Sequence, residues 1–267
     1  MMRRVCFHAA VALAFVGLAS VATAVAQDFE KSYRIGAGGQ LAIRNVSGNI
    51  NISGYDGDAI MVTGYKEGRD RDLVQVEDLS SGNRVDLRVR YPENCDCEAS
   101  LRFQVQVPRA VSYNFDQIST ASGNIEISSV KGNLRARSAS GNVSVKNLAG
   151  SVDASVASGN VQVEEVVGSV SAKSASGDVE VTIARLEGAD KMTFSSASGN
   201  VSVKLPSDLD AEVDLSSLSG SVKTDFPIEV QERERGPGRF ARGRLGQGSR
   251  SLKVSSVSGN VSLLHNY

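Results

Sequence analysis

Glycine stands at positions 123, 132, 141, 150, 159, 168 and 177, nine residues apart each time, and this spacing restricts the fold more than any other feature of the chain. A fixed short period marks a repeat architecture in which each unit buries its apolar side only against its neighbours. The unit from Gly141 reads Gly-Asn-Val-Ser-Val-Lys-Asn-Leu-Ala, and the next reads Gly-Ser-Val-Asp-Ala-Ser-Val-Ala-Ser. Positions three and five are apolar around a polar residue, the period-two signature of a strand with one buried face. Glycine followed by Asn, Ser or Asp is turn chemistry: the glycine takes a positive φ and the next side chain bonds the local backbone. Gly123, Gly132, Gly141, Gly150, Gly159, Gly168 and Gly177 are therefore read as structural turn residues.

A longer period lies over the first. Position five is Ile127, Val145, Val163 and Val181 in one set of units and Ala136, Ala154 and Ala172 in the alternate set. Position eight follows, with Val130, Leu148 and Val166 against Ala139, Ala157 and Ala175. The repeat is thus eighteen residues, and a large-residue side is expected to pack across a thin core on a small-residue side. A left-handed hexapeptide helix also closes in about eighteen residues, but apolar positions that recur at nine favour two main sides over three. The expected fold is all-β: a single-domain parallel β-solenoid with coils of about 18 residues, each made of two nonapeptide halves. Aromatics are only 5% and Trp is absent, so the core must be built from Val, Ile, Leu and Ala in thin layers. Ser122, Ser140, Ser158, Ser176 and Ser198 should stack in one column, and Asn124, Asn142, Asn160 and Asn200 in the next.

The pattern starts by Gly39, Gly48 and Gly57 and returns, loosened, at Ser198-Gly199-Asn200-Val201, Ser219-Gly220-Ser221-Val222 and Ser258-Gly259-Asn260-Val261. Irregular insertions are expected at about 65–111 and 229–250. The first holds alternating strands over 85–89 and 101–107 with a cysteine loop between them; the second, rich in Gly and Arg, reads as a mobile loop. Its arginines, Arg233, Arg235, Arg239, Arg242, Arg244 and Arg250, form a candidate contact for an anionic partner. The plainer reading is a solvated insertion between coils.

Residues 1–26 read as a Sec signal peptide: a basic Met1-Met2-Arg3-Arg4, an apolar run from Val5 to Val25, and a small-x-small Ala24-Val25-Ala26. An uncleaved anchor is the alternative, while the lack of a Cys at the cleavage point disfavours a lipoprotein. The expectation is an exported protein, in a periplasm, on the surface or secreted, with its solenoid at 27–267 and no integral membrane segment after cleavage. Export places Cys95 and Cys97 in an oxidising compartment, where a local disulfide is expected. Free or intermolecular thiols are the alternative, and a metal pair falls two ligands short of a structural zinc site.

Enzyme readings fail on inventory. After the signal the chain has a single His, His265, third from the C-terminus and expected to be a frayed surface residue. There is no phosphate loop and no dinucleotide fingerprint. Calcium β-rolls need Gly-Gly-x-Gly-x-Asp turns, whereas only Asp178 occupies position two here. Position four puts Glu126, Gln162 and Glu180 on one face, with Glu126 three coils from Glu180, too far for a carboxylate pair. No catalytic residue, cofactor or metal is expected. The whole chain carries 29 basic and 30 acidic residues, so no field favours nucleic acid. Val261, Leu263 and Leu264 run to Tyr267 without a cap, and an exposed strand edge recruits partners; a homo-oligomer through this C-terminal edge is expected.

The repeated Ser-Ala-Ser-Gly-Asn-Val-x-Val, the opening Gly-Gly-Gln-Leu-Ala-Ile-Arg-Asn-Val-Ser-Gly-Asn-Ile and the Val-Gln-Val-Pro at 105–108 resemble the bacterial "putative adhesin" family of unknown function, over about residues 30–267. That resemblance implies an exported β-solenoid with no catalytic residues. Its implied role is that of a non-enzymatic, adhesin-like module binding an envelope macromolecule, either protein or polysaccharide. A self-assembling envelope protein that stacks end to end, or a polysaccharide-active solenoid enzyme, are the other readings.

Overall fold

The turn glycines sit at the corners of a stacked chain. Gly141 and Gly150 have φ of 138° and 139°, and a Cβ on either would run into the carbonyl oxygen of Gly123 or Gly132 in the neighbouring layer. Glycine is demanded there twice, by the backbone conformation and by the close approach. In the computed structural model, which describes residues 28–188, 191–232 and 236–266, the segments between corners are strands that pair in parallel. The expected signal at 1–26 lies outside the described residues. In the middle of the molecule partners are eighteen residues apart, Val143 beside Val161 and Val152 beside Val170. The result is an all-β, mostly parallel, β-solenoid-like fold.

Two columns of strands face each other across the core. In spatial order one column runs 99–108, 50–55, 125–130, 143–149, 161–167, 179–185, 201–205, 261–265 and 222–224. The other runs 84–90, 40–44, 112–122, 134–140, 152–158, 170–176, 191–198, 250–258 and 211–217. In the middle of the molecule the core between them is the expected aliphatic one, with Ile127, Val145, Val163 and Val181 buried on one side and Ala136, Ala154 and Ala172 on the other, whereas toward the ends Phe103, Tyr113, Phe115 and Phe194 are buried in it as well.

Position eight behaves differently in the two halves. Ser129, Asn147 and Glu165 take left-handed φ of 57°, 51° and 55°, and this bend turns Val130, Leu148 and Val166 back into the core. The alternate half stays extended, so Ser138, Val156 and Ser174 at position seven point inward. Ala139, Ala157 and Ala175, expected in the core, are exposed. Strand alternation, uninterrupted by a left-handed residue, puts them on the outer face.

The inward Ser hydroxyls do specific work. Those of Ser138, Ser174, Ser196 and Ser256 donate to the carbonyls of Gly123, Gly159, Gly177 and Gly199 at 2.8–3.0 Å, so buried polar atoms are satisfied at the corner. The expected serine column is present, Ser122, Ser140, Ser158, Ser176 and Ser198 lying side by side. The asparagine column is a ladder of side chain to backbone rather than amide to amide. The Asn142 N–H donates to Asn124 Oδ1 at 2.9 Å, the Asn160 N–H to Asn142 Oδ1 at 2.8 Å, and the Asp178 N–H to Asn160 Oδ1 at 2.9 Å.

The order of layers at each end is not the order of the sequence. Strand Gln40–Arg44 lies between Arg84–Arg90 and Ser112–Ser122, so the insertion at about 65–111 folds back as the outermost parallel layer. It is covered by antiparallel strands Ile60–Gly68 and Phe29–Tyr33 in one column and Gln75–Asp78 in the other. The same device closes the other end. Strands Arg250–Ser258 and Val261–His265 are paired on both sides, the first between Lys191–Ser198 and Ala211–Ser217, the second between Val201–Leu205 and Val222–Thr224. The C-terminal strand is therefore not the open edge expected of it, because an earlier segment of chain already covers it. Nor is 229–250 an irregular loop: Arg239–Leu245 pairs antiparallel with Ala211–Ser217, and Val230–Glu232 with Arg239–Leu245. Antiparallel strands interrupt the parallel edge of both columns at the N-terminal end and of the second column at the C-terminal end, while the first column ends there on the short strand Val222–Thr224.

Candidate functional site

The outer face of the first column carries a polar stretch toward its N-terminal end. Register places Thr63, Gln104, Asn51 and Glu126 side by side on adjacent strands, and Met61, Gln106, Ser53 and Ser128 in the next file. These side chains line an open groove of about 450 Å³. The Oδ1 of Asn51 is buried and accepts no hydrogen bond, a costly state for an amide oxygen unless a ligand or water reaches it. Glu126 is the single carboxylate among these lining residues.

Further along this face Glu164 and Glu180 line a second hollow with Gln162 and Lys204. Glu164 accepts from Lys146 Nζ at 2.9 Å and from Gln162 Nε2 at 2.7 Å, and the hydrogen bond from Lys146 holds its carboxyl below the ordinary range. A general acid needs the opposite shift. Ser144 and Gln162 separate Glu126 from Glu180 in the same file, the distance the sequence implied.

The second column's outer face is dominated by charge at its N-terminal end. Asp86, nearly buried, is shared by three guanidiniums: Arg44 Nη2 at 2.7 Å, Arg84 Nη2 at 3.0 Å and Arg88 Nε at 3.7 Å. Burial alone would raise the Asp86 pKa, but the hydrogen bonds from Arg84 and Arg44 outweigh it and hold the carboxyl below its usual value. A depressed carboxyl contributes stability that is complete above its unfolded pKa of about 3.9 and is lost as pH falls through the folded value. Asp86→Asn is therefore expected to lower the melting temperature at pH 7. The difference from wild type should shrink as the pH is taken below about 4, as read by melting curves across pH.

The structure joins Cys95 and Cys97, Cα atoms 5.1 Å apart, in a disulfide within the loop between Arg84–Arg90 and Ala99–Pro108. The described arginines of the second insertion are engaged within the protein. Arg239 pairs with Glu232 at 3.2 Å, Arg242 with Asp214 at 3.2 Å and Arg244 with Glu212 at 2.6 Å, while Arg250 Nε donates to the Gly188 carbonyl at 2.8 Å. These pairs lace the hairpin to its neighbours instead of offering a free basic loop; Arg233 and Arg235 lie outside the described residues. His265 is not frayed. It closes strand Val261–His265 and meets Phe226 edge-on, ring centroids 4.4 Å apart. Among the described residues no three His, Cys, Asp or Glu side chains gather as a metal site, and no helix is long and apolar enough to cross a membrane.

What sequence reasoning missed is the groove. Asn51 and Gln104 are 53 positions apart in the chain, and only the fold-back of 99–108 onto 50–55 brings them together. The exposure of one alanine in each of several layers was also hidden, although Asn147 at a bend position was a signal for it, since Asn tolerates left-handed φ.

Comparison with solved structures finds a "putative cell adhesion protein" from Clostridium sporogenes, at 11% identity and a TM-score of 0.34, covering 89% of this chain and 99% of that one. A "putative adhesin" from Bacteroides fragilis matches at 14% identity and a TM-score of 0.33, covering 89% and 96%. A search of curated proteins finds no match. The family model described as Toastrack DUF4097 matches residues 31–264, nearly the whole described chain, with its turn glycines, serine column and asparagine ladder. The chain belongs to the Toastrack DUF4097 family.

Proposed function

We propose that this protein is a non-enzymatic, exported binding module that holds an envelope macromolecule in the groove around Asn51. The eighteen-residue coil of two nonapeptide halves is, in this reading, a scaffold that spaces polar side chains along flat faces. The observation that carries the reading is the open groove lined by Asn51, Gln104, Gln106, Thr63 and Ser53, beneath which Asn51 Oδ1 is buried without a partner. Amides and hydroxyls on a rigid sheet suit a neutral polyhydroxylated ligand, which offers donors and acceptors at short intervals. A hydrolytic reading has no support here, since Glu126 has amides beside it where a second carboxylate would be needed. Antiparallel strands over three of the four column ends weigh against end-to-end stacking.

The test is a sedimentation assay of the purified protein with isolated envelope fractions. Wild type is expected to co-sediment, and Asn51→Ala combined with Gln104→Ala should reduce the bound fraction at least fivefold without moving the melting temperature by more than a few degrees. Equal co-sedimentation of wild type and variant would remove the groove from the function.

A further inference from the structure

The outer face of the second column carries a regular two-lane track. One lane is the position-six file, in spatial order Arg44, Ser119, Arg137, Ser155, Lys173 and Ser195. Cations and hydroxyls alternate along it, and it contains no carboxylate. Neighbouring strands lie roughly 4.8 Å apart, so its cations recur about every 10 Å. The second lane, two residues further along each strand and on the same face, is Val46, Ala121, Ala139, Ala157, Ala175 and Ala197, exposed and small or apolar throughout, with Val46 at 44% exposure.

Two of the three cations on this track, Arg137 and Lys173, are not cancelled internally. Among the described residues the acids in the adjacent file are already engaged with other arginines: Asp153 lies 3.5 Å from Arg135, and Asp116 lies 3.9 Å from Arg84 and 4.0 Å from Arg135. Among the described residues, neither Arg137 nor Lys173 has a carboxylate within ion-pair distance. At the N-terminal end Arg44, Arg84 and Arg88 share the one carboxylate of Asp86, Arg88 only through an ion pair at 3.7 Å, and the Nε atoms of Arg44 and Arg88 make no hydrogen bond.

We infer that this face binds a linear acidic polysaccharide in which a carboxylate-bearing sugar alternates with a neutral one. One pyranose unit is about as long as one strand spacing, so an extended chain would set a carboxylate against a cation at every second layer and a neutral sugar against the intervening serine. The apolar C–H side of each ring would rest on the alanine lane, where no side chain is large enough to lift it away. Nucleic acid fits the track less well. A duplex strand carries charge about every 3.4 Å, far denser than the cations here, and the track has no aromatic side chain on which bases could stack. A lipid surface would call for apolar anchors longer than alanine beside the basic residues.

This track lies on the opposite side of the core from the Asn51 groove, so each can fail without the other. The test is calorimetric titration of the purified protein with a hyaluronan octasaccharide, in which carboxylates alternate, at two salt concentrations. Comparison ligands are a galacturonate octamer, with a carboxylate on every unit, a neutral cello-oligosaccharide, and vesicles containing an anionic phospholipid. The expected result is tightest binding to the alternating octamer. Affinity should fall at least tenfold in Arg137→Gln/Lys173→Gln, with a shallower salt dependence, and should also fall in Ala157→Glu, which raises a charged arm from the alanine lane. Lys204→Gln on the other face, and the Asn51→Ala/Gln104→Ala variant, should bind it as wild type does. Equal binding of Arg137→Gln/Lys173→Gln and wild type would overturn the inference. So would tighter binding of the galacturonate octamer, which marks simple charge density, or binding to the vesicles alone.

Discussion

Gly141→Ala is expected to destabilise the protein by about 3 kcal/mol or more, at the severe end of single substitutions. The alanine would have to hold a φ of 138°, a conformation that L residues avoid, and its Cβ would meet the Gly123 carbonyl of the neighbouring layer. Neither the strand nor the neighbour can yield, because the same corner is repeated in the layers on both sides and fastened by the asparagine ladder. Gly82→Ala is the control. Gly82 also has a positive φ, of 55°, but open space where a Cβ would stand, so it should cost only about 1 kcal/mol. Urea midpoints of the two variants measure the difference. A Gly141→Ala loss no larger than that of Gly82→Ala would mean that the corner is looser than its packing implies.

The second large effect concerns the end of the chain. Deletion of residues 250–267 is expected to unfold the part of the molecule from 211 to 245, not merely to shorten it. In a solenoid whose layers follow the sequence, removing the last coil breaks one nearest-neighbour interface. Here strands Arg250–Ser258 and Val261–His265 are interior, and their loss separates 191–205 from 211–224. Leu252, Val254, Val261 and Leu263 leave the core with them. At about 1.5–3 kcal/mol for each fully buried side chain, their sum rivals the whole stability of an ordinary domain. Hydrogen exchange should show lost protection across 211–245 while 112–185 stays protected; retained protection across 211–224 would contradict the interleaved order.

Closure of both ends by fold-back gives the solenoid an unusual dependence on its insertions. The interruptions of the repeat at about 65–111 and 229–250, with the strands that flank them, supply outer layers and antiparallel strands that cover the parallel edges other than Val222–Thr224. Their charges follow from that position: Arg242 and Arg244 face Asp214 and Glu212 across a strand pair, where opposite charges favour pairing and fix register. An arginine-rich stretch read as a loop for a partner thus became part of the sheet, because the acids that neutralise it lie some thirty residues earlier in the chain.

The amino-acid sequence by itself determined the repeat, the parallel all-β stack, the corner glycines, the aliphatic core of Ile127, Val145 and Ala154, and the serine and asparagine columns. Each of these depends on local backbone preference or on contact between neighbouring units of the same pattern, and a period in the chain encodes both. Only the tertiary structure decided which layers are adjacent at the ends, that Asn51 meets Gln104, that Arg44 stands in line with Arg137 and Lys173, and that Ala139, Ala157 and Ala175 face solvent. Those outcomes depend on how far a segment reaches before it pairs, and on one left-handed bend at Asn147 and its equivalents that reverses the inside and outside of half a coil. Long-range pairing of this kind is selected by total burial and edge closure, which no local spacing records.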